Sequence, residues 1–304
     1  VAVDLTTTVG SLTLANPVMT AAGTAGYGTE LAAYGDLALL GAHVVKSISA
    51  DPWSGNPAPR LTESGENMVN SVGLSGPGVE AWLERELPGL ASSGATVVVS
   101  IWGRSVEGFA KAAGMLRGVG PPVVAVEVNV SCPNVEDRSR MFAHDPRATA
   151  EAVEAAECGL PRWAKLSPNV GDICEIAGAA LGAGAEGLTL VNTLLAMVVD
   201  PETRTAVLGA GGGGLSGPAL RPVAVRAVAD CRSAFPGAAI VGVGGIGSGR
   251  DAAELLVAGA DAVQVGTAIF RDPRAPWRVL SELGRWCEDH GVASLRELVG
   301  SLNA

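Results

Sequence analysis

Short apolar runs alternate with helix-patterned stretches along almost the whole chain, and this alternation constrains the fold more than any other feature. The runs are 18–21, 43–48, 96–102, 123–130, 163–166, 187–191, 239–243 and 262–265. Helical periodicity falls on 29–40, 106–116, 145–157, 170–181, a stretch from about Pro218, 250–257 and 276–288. Asp145 before Pro146 reads as an N-cap with proline at the first helical position. The strands are apolar on both faces rather than alternating, which indicates a parallel sheet covered by helices. Closure into a single (β/α)8 TIM barrel accounts for eight strands with no leftover edge, and 304 residues is an ordinary length for one. An open doubly wound sheet is the second choice. Residues 4–14 carry two Thr/Leu/Val-rich segments around Val9-Gly10, an N-terminal β-hairpin. No linker or composition shift divides the chain, so residues 1–304 read as one domain. Two segments fall outside the pattern. Residues 50–77 form a long loop with Pro52, Pro57 and Pro59, of a length that usually serves function, and residues 211–214 read as a flexible turn.

Composition removes several classes of function. A net charge of −10 disfavours nucleic acid bound through a basic surface. Cys132, Cys158, Cys174, Cys231 and Cys287 are scattered without a Cys-x-x-Cys pair, against a disulfide framework, a zinc site or an iron–sulfur cluster held by this chain alone. No metal site is expected, since the three histidines have no metal-ligand spacing. Gly-x-Ser-x-Gly is absent, so a hydrolase nucleophile elbow has no support. A reducing cytoplasm fits the cysteines. The apolar stretch 177–199 carries Glu186, Asn192 and glycines, and reads as a buried helix and strand rather than a membrane span.

In a barrel of this kind ligands bind at the carboxyl ends of the strands. Those ends hold Ala22-Gly23, Lys46-Ser47, Ser100, Asn129-Val-Ser-Cys132, Lys165, Asn192-Thr193, Gly244-Gly245 and Gly266-Thr267. Buried lysines are rare without an anionic partner. Each of Lys46 and Lys165 could reach solvent or pair with a carboxylate, but two lysines at equivalent barrel positions favour a ligand. Gly242-Val-Gly244-Gly-Ile-Gly247 has dinucleotide-type spacing but follows the seventh strand. With Gly266-Thr267 it better fits a barrel phosphate site, with backbone N–H groups aimed at a monoester. Tight glycine packing alone is the competing explanation. Around Cys132, amides can fix a planar polar ligand and a thiol can exchange a proton with it. Cys132 could otherwise be a small buried hydrophobe, as its four relatives are expected to be.

With these residues placed, the chain resembles the class 1 dihydroorotate dehydrogenases, FMN-containing barrels of pyrimidine synthesis. The landmarks, in order, are Asn16-Pro17 with Ala21-Ala-Gly-Thr24; Lys46-Ser47; Gly55-Asn-Pro-Ala-Pro-Arg60; Asn70-Ser-Val-Gly-Leu74; Asn129-Val-Ser-Cys-Pro-Asn134; Lys165-Leu-Ser-Pro168; Asn192-Thr193; Gly213-Gly-Leu-Ser-Gly-Pro218; Val243-Gly-Gly-Ile246; and Val265-Gly-Thr-Ala268. Phe142-Ala-His-Asp-Pro146 and the Gly-Leu-Ser-Gly-Pro run look most like the class 1B catalytic subunit. The resemblance implies that Cys132 removes the C5 proton of dihydroorotate while the C6 hydride passes to flavin N5, giving orotate. It implies that Lys46, Asn70, Val72, Gly73, Leu74, Asn129, Asn134, Asn192 and Thr193 hold the substrate. Ala22, Gly23, Lys46, Ser47, Ser100, Asn129, Lys165 and Val191 would face FMN, with Gly217, Gly244, Gly245, Gly266 and Thr267 at its phosphate side. Lys165 would lie against the flavin pyrimidine edge, where positive charge stabilises anionic reduced flavin. Lysine charge is expected to lower the Cys132 pKa from the ordinary value of about 8.5. The implied partners are a separate subunit carrying FAD and a 2Fe–2S cluster that passes electrons to NAD, with fumarate or another acceptor as the alternatives, and a second copy of the chain in a homodimer core.

The chain departs from the family's usual pattern at Gly76 (commonly Asn), Ala22 (Ser), Ser100 (Asn), the bulkier Trp102, and residues 135–140, which lack the family's lid glycines. These departures favour, as alternatives, a related flavin barrel acting on another cyclic amide or pyrimidine. A barrel that only binds a phosphorylated ligand, without redox chemistry, is the reading from another class.

Overall fold

The computed structural model describes residues 3–132 and 140–303. Eight parallel strands form the central sheet: β1 (Val18–Thr20), β2 (His43–Val44), β3 (Val97–Ile101), β4 (Val123–Asn129), β5 (Arg162–Lys165), β6 (Gly187–Leu190), β7 (Ala239–Val243) and β8 (Ala262–Val265). Neighbours run β1-β8-β7-β6-β5-β4-β3-β2. The two ends meet through a parallel bridge between Met19 and Ala42, with Gly41 N donating to Val18 O at 2.8 Å. The barrel thus closes, as the double-sided apolar strands require. Every residue of β3, Val-Val-Val-Ser-Ile, is buried.

Inside the lower barrel, Met19, Val44, Val98, Ala125, Trp163, Val241 and Ala262 make a continuous apolar plug. The hairpin Thr7–Val9/Leu12–Leu14 closes that end, placing Val9 and Leu14 against the plug. Its turn is held from below by Glu186, whose carboxylate accepts from Ser11 N at 3.0 Å and Ser11 Oγ at 2.6 Å. Helices cover the outside. Asp145 caps the helix Pro146–Ala155 by accepting from Ala148 N at 3.0 Å, and Ser105 and Ser248 cap Val106–Met115 and Gly249–Ala258 in the same way. The 177–199 stretch divides into the end of a helix (Ile173–Gly182), β6 and short strands beyond it. Among the described residues no helix is long and apolar enough to cross a membrane.

Three local expectations are corrected. Residues 29–40 are not one helix but two 3₁₀ turns, Glu30–Ala33 and Leu37–Leu39. Gly35 lies against the Trp277 ring, where a Cβ would approach to 2.5 Å, and Asp36 caps a new turn by accepting from Ala38 N. The 50–77 segment is not a bare loop. It contains a hairpin, Leu61–Ser64 and Asn67–Asn70, that pairs antiparallel with Gly213–Ser216 and through it with Leu194–Ala196. The supposed 211–214 turn therefore enters a strand of this accessory sheet. Glycine is needed there because a Cβ at Gly213 would sit 2.4 Å from Asn70 O. Between β2 and β3, two short helices, Val79–Arg85 and Leu87–Ser92, were not legible, since Pro88 and Gly89 interrupt the periodicity.

Candidate active site

The strand ends converge on a cleft with a cavity volume of about 270 Å³, roofed by the accessory sheet. From the barrel it receives Ala22, Gly23, Lys46, Ser47, Asn129, Lys165, Val191, Asn192 and Thr193. From the roof come Asn70, Val72, Gly73 and Leu74. At one end lie Gly217, Gly244, Gly245, Gly266 and Thr267. Three expected residues stand apart. Ser100 is fully buried behind Ser47, hydroxyl to hydroxyl at 2.8 Å. Cys132 is fully buried and does not line the cleft. Asn134 lies outside the described residues.

The amides are tied together across the barrel top. Asn129 Nδ2 donates to Ser47 Oγ at 3.2 Å, and its Oδ1 accepts from Ser131 N at 3.1 Å and Asn192 Nδ2 at 3.2 Å. Asn192 Oδ1 accepts from Thr193 N at 2.9 Å. This chain fixes which amide edge each residue presents, and the Ser131 hydroxyl at the cleft has no partner among the described residues. On the roof, Gly73 and Leu74 both adopt left-handed backbone, φ +70° and +60°. For leucine that conformation carries strain, of the kind that clusters at ligand-binding turns. Trp53 anchors this turn by donating to Gly73 O at 3.0 Å, and its ring meets the buried Trp102 edge-on at 6.2 Å. The large Trp102 thus joins the roof to the end of β3. Gly76 leaves room for the Tyr27 hydroxyl, which would lie 3.1 Å from a Cβ and which donates to Ser75 O.

The ionisable groups depart from expectation. Lys46 Nζ donates to Ser75 O at 3.0 Å, and burial pushes its pKa down to about 8. Lys165 does have a carboxylate partner: Glu127 Oε1 lies 3.5 Å from its Nζ. Lys165 still lines the cleft, so its pairing with Glu127 does not remove it from the site. The Cys132 thiol donates to Gly103 O at 2.9 Å, and burial pushes its pKa up to about 12. The expected lowering is overturned, because an enclosed thiol facing carbonyl oxygens gains nothing from lysines whose ammonium groups are engaged elsewhere. Sequence reasoning gave no role to Glu127 and Gln264. Their signal was a charged and an amide side chain inside otherwise apolar strands. It also passed over Met68, Ser216 and Phe270 of the cleft, which only the accessory sheet and the turn after β8 bring there.

The glycine end is a cradle. Gly217, Gly244 and Gly245 have φ of +110°, +140° and +70°, and a Cβ on Gly245 would meet Arg221 Cβ at 2.6 Å. Close-set backbone with no side chain in the way is the arrangement that receives a phosphate.

Fold and cleft together define an α/β barrel with an amide-rich pocket, a paired lysine and a glycine cradle in one continuous site. A family model described as dihydroorotate dehydrogenase matches residues 4–286. The dihydroorotate dehydrogenase B (NAD(+)) catalytic subunit of Desulforudis audaxviator is 50% identical over 96% of this chain and 95% of its own length. Those of Geobacter sp. (strain M21) and Pelobacter propionicus are 43% and 44% identical over 98% of both chains. The chain belongs to the dihydroorotate dehydrogenase family, flavin-dependent oxidoreductases acting on CH–CH donors.

Proposed function

We propose that the chain is the catalytic subunit that oxidises (S)-dihydroorotate to orotate in pyrimidine synthesis, with FMN as its flavin and residues 1–304 acting as one barrel domain. One observation carries the reading: the amide set of Asn70, Asn129 and Asn192 shares one cleft with Lys165 and the glycine cradle. The residues fit FMN. The cradle of Gly217, Gly244, Gly245, Gly266 and Thr267 takes the phosphate, and Lys165 offers a cation to the pyrimidine edge of the ring. FMN bound there supplies the hydride acceptor.

The chain's own groups do the rest. Asn70, Asn129, Asn192 and Thr193 orient the planar ring by its amide edges; the family resemblance assigns the same role to Asn134, which lies outside the described residues. Lys46 meets the substrate carboxylate, and the Val72–Leu74 turn closes over it. The Cys132 thiol first gives up its proton to solvent, and the thiolate, its Sγ turned from Gly103 O toward the substrate, accepts the C5 proton. The relatives' names, which give NAD(+) and a catalytic subunit, support a partner subunit and NAD⁺ as acceptor; that partner would carry FAD and a 2Fe–2S cluster, and two catalytic subunits would form the core of a cytoplasmic assembly.

Anaerobic mixing of purified protein with dihydroorotate tests the reading. Bleaching of the flavin bands is expected. A tightly held flavin that stays oxidised would overturn it in favour of another cyclic amide, and a colourless protein that takes up no FMN would leave only a phosphate-ligand barrel.

A further inference from the structure

Directly beneath the cleft, above a plug whose side chains carry no charge, one layer of the barrel is polar. Glu127 on β4 has no exposed surface, nor does Gln264 on β8. Gln264 Nε2 donates to Glu127 Oε2 at 2.8 Å, and Lys165 Nζ donates to Gln264 Oε1 at 3.3 Å. Glu127 Oε1 has no hydrogen bond, and the Lys165 ammonium 3.5 Å away is its counter-charge. The register sets the order of layers: Lys165 stands opposite Asn129, and Glu127 is one inward step lower. Lys165 lines the cleft and Glu127 does not.

A buried ion pair seldom stabilises a fold better than apolar residues of the same size, because removing two charges from water costs several kcal/mol per ion. The lower plug shows that this barrel packs well without such a pair. We propose that Glu127 is a positioning residue for the redox reaction: with Gln264 as a bridge, it aims the Lys165 ammonium up into the cleft, where that charge favours reduced flavin. The inference rests on the proposed function, which puts the flavin pyrimidine edge against Lys165. The other groups around the pair are neutral hydroxyls, Ser100 in register with Glu127 and Thr189 in register with Lys165. Lys46 is the second ammonium lining the cleft, and it is bonded to Ser75 O. Without Glu127, the Lys165 ammonium loses its counter-charge and has only amide and hydroxyl neighbours to hold it in place.

The test is the midpoint potential of the bound flavin, measured by anaerobic dye equilibration on the FMN-loaded protein. Lys165→Met is expected to lower the potential. Glu127→Gln, which preserves shape, is expected to lower it by a comparable amount, and the double variant to fall no further than Lys165→Met alone. Gln264→Leu, which keeps both charges, shifts it less than Glu127→Gln. If Glu127→Gln does not fold, Glu127→Asp is read instead, with a partial fall expected as the carboxylate retreats. An unchanged or raised potential in the Glu127 variants, with Lys165→Met lowered, overturns the inference while leaving the proposed function standing. An unchanged potential in Lys165→Met places Lys165 away from the flavin and overturns both the inference and the cofactor pose beneath it.

Discussion

The pH dependence of proton removal offers a direct check on the role of Cys132. Its thiol is enclosed, bonded to Gly103 O, and held near pKa 12, roughly three units above an unperturbed thiol. Three pKa units correspond to about 4 kcal/mol against the thiolate. The thiolate then makes up about one molecule in 10⁵ at pH 7 and about one in 10³ at pH 9. Burial raises the pKa of an acid whose charged form is the anion, so the competent base becomes more abundant throughout this window as pH rises. If thiolate is the base, the rate of flavin bleaching by saturating dihydroorotate, followed anaerobically by stopped flow, climbs about tenfold per pH unit from 7 to 9. Cys132→Ser, with a far less acidic hydroxyl, should be slower by about 10²–10⁴ across the range. A wild-type rate that is flat between pH 7 and 9 would refute the reasoning, as would a serine variant that bleaches at the wild-type rate.

Other outcomes follow from the same geometry. Gly245→Ala puts a methyl 2.6 Å from Arg221 Cβ and 2.9 Å from Arg221 N in left-handed backbone, so a loss of about 1–3 kcal/mol in stability and poor FMN retention are expected by thermal denaturation and flavin-to-protein absorbance ratio. Asn129→Ala removes three hydrogen bonds at a nearly buried site; at about 0.5–1.5 kcal/mol each, urea unfolding should show about 2–4 kcal/mol lost, and a loss under about 0.5 kcal/mol would mean that the amide chain is not what holds the barrel top. Lys46 has its pKa depressed to about 8 by burial, so it is charged below that pH and neutral above it. Orotate affinity, measured by flavin-absorbance titration, should weaken as pH rises past 8, and Lys46→Met should abolish the dependence.

Much of the fold was legible because its signals are local. A strand buried on both faces must be apolar throughout, so β3 and β7 announced themselves, and a helix start such as Asp145-Pro146 is set by its own backbone. Polar residues that closed each apolar run marked the cleft, since a buried strand end has little other reason to carry Lys46, Asn129 or Asn192. Signals failed where the backbone answers to distant partners. Residues 29–40 had helical periodicity, but the Trp277 ring packs against Gly35 from the far end of the chain. The hairpin at 61–70 looked like a loop because its third strand lies some 140 residues away in sequence, at Gly213–Ser216.

What the sequence determined by itself is the barrel, the cleft at its strand ends and the residue types in that cleft, because burial and periodicity are properties of each short segment. Tertiary structure alone decided the electrostatics. Whether a thiol is acidic or held back, and whether a lysine stands alone or paired, depends on which groups from other strands come within a few ångströms and on how much water remains. Cys132 met the Gly103 carbonyl instead of a lysine, and Lys165 met Glu127 and Gln264 from two strands that no spacing rule connects.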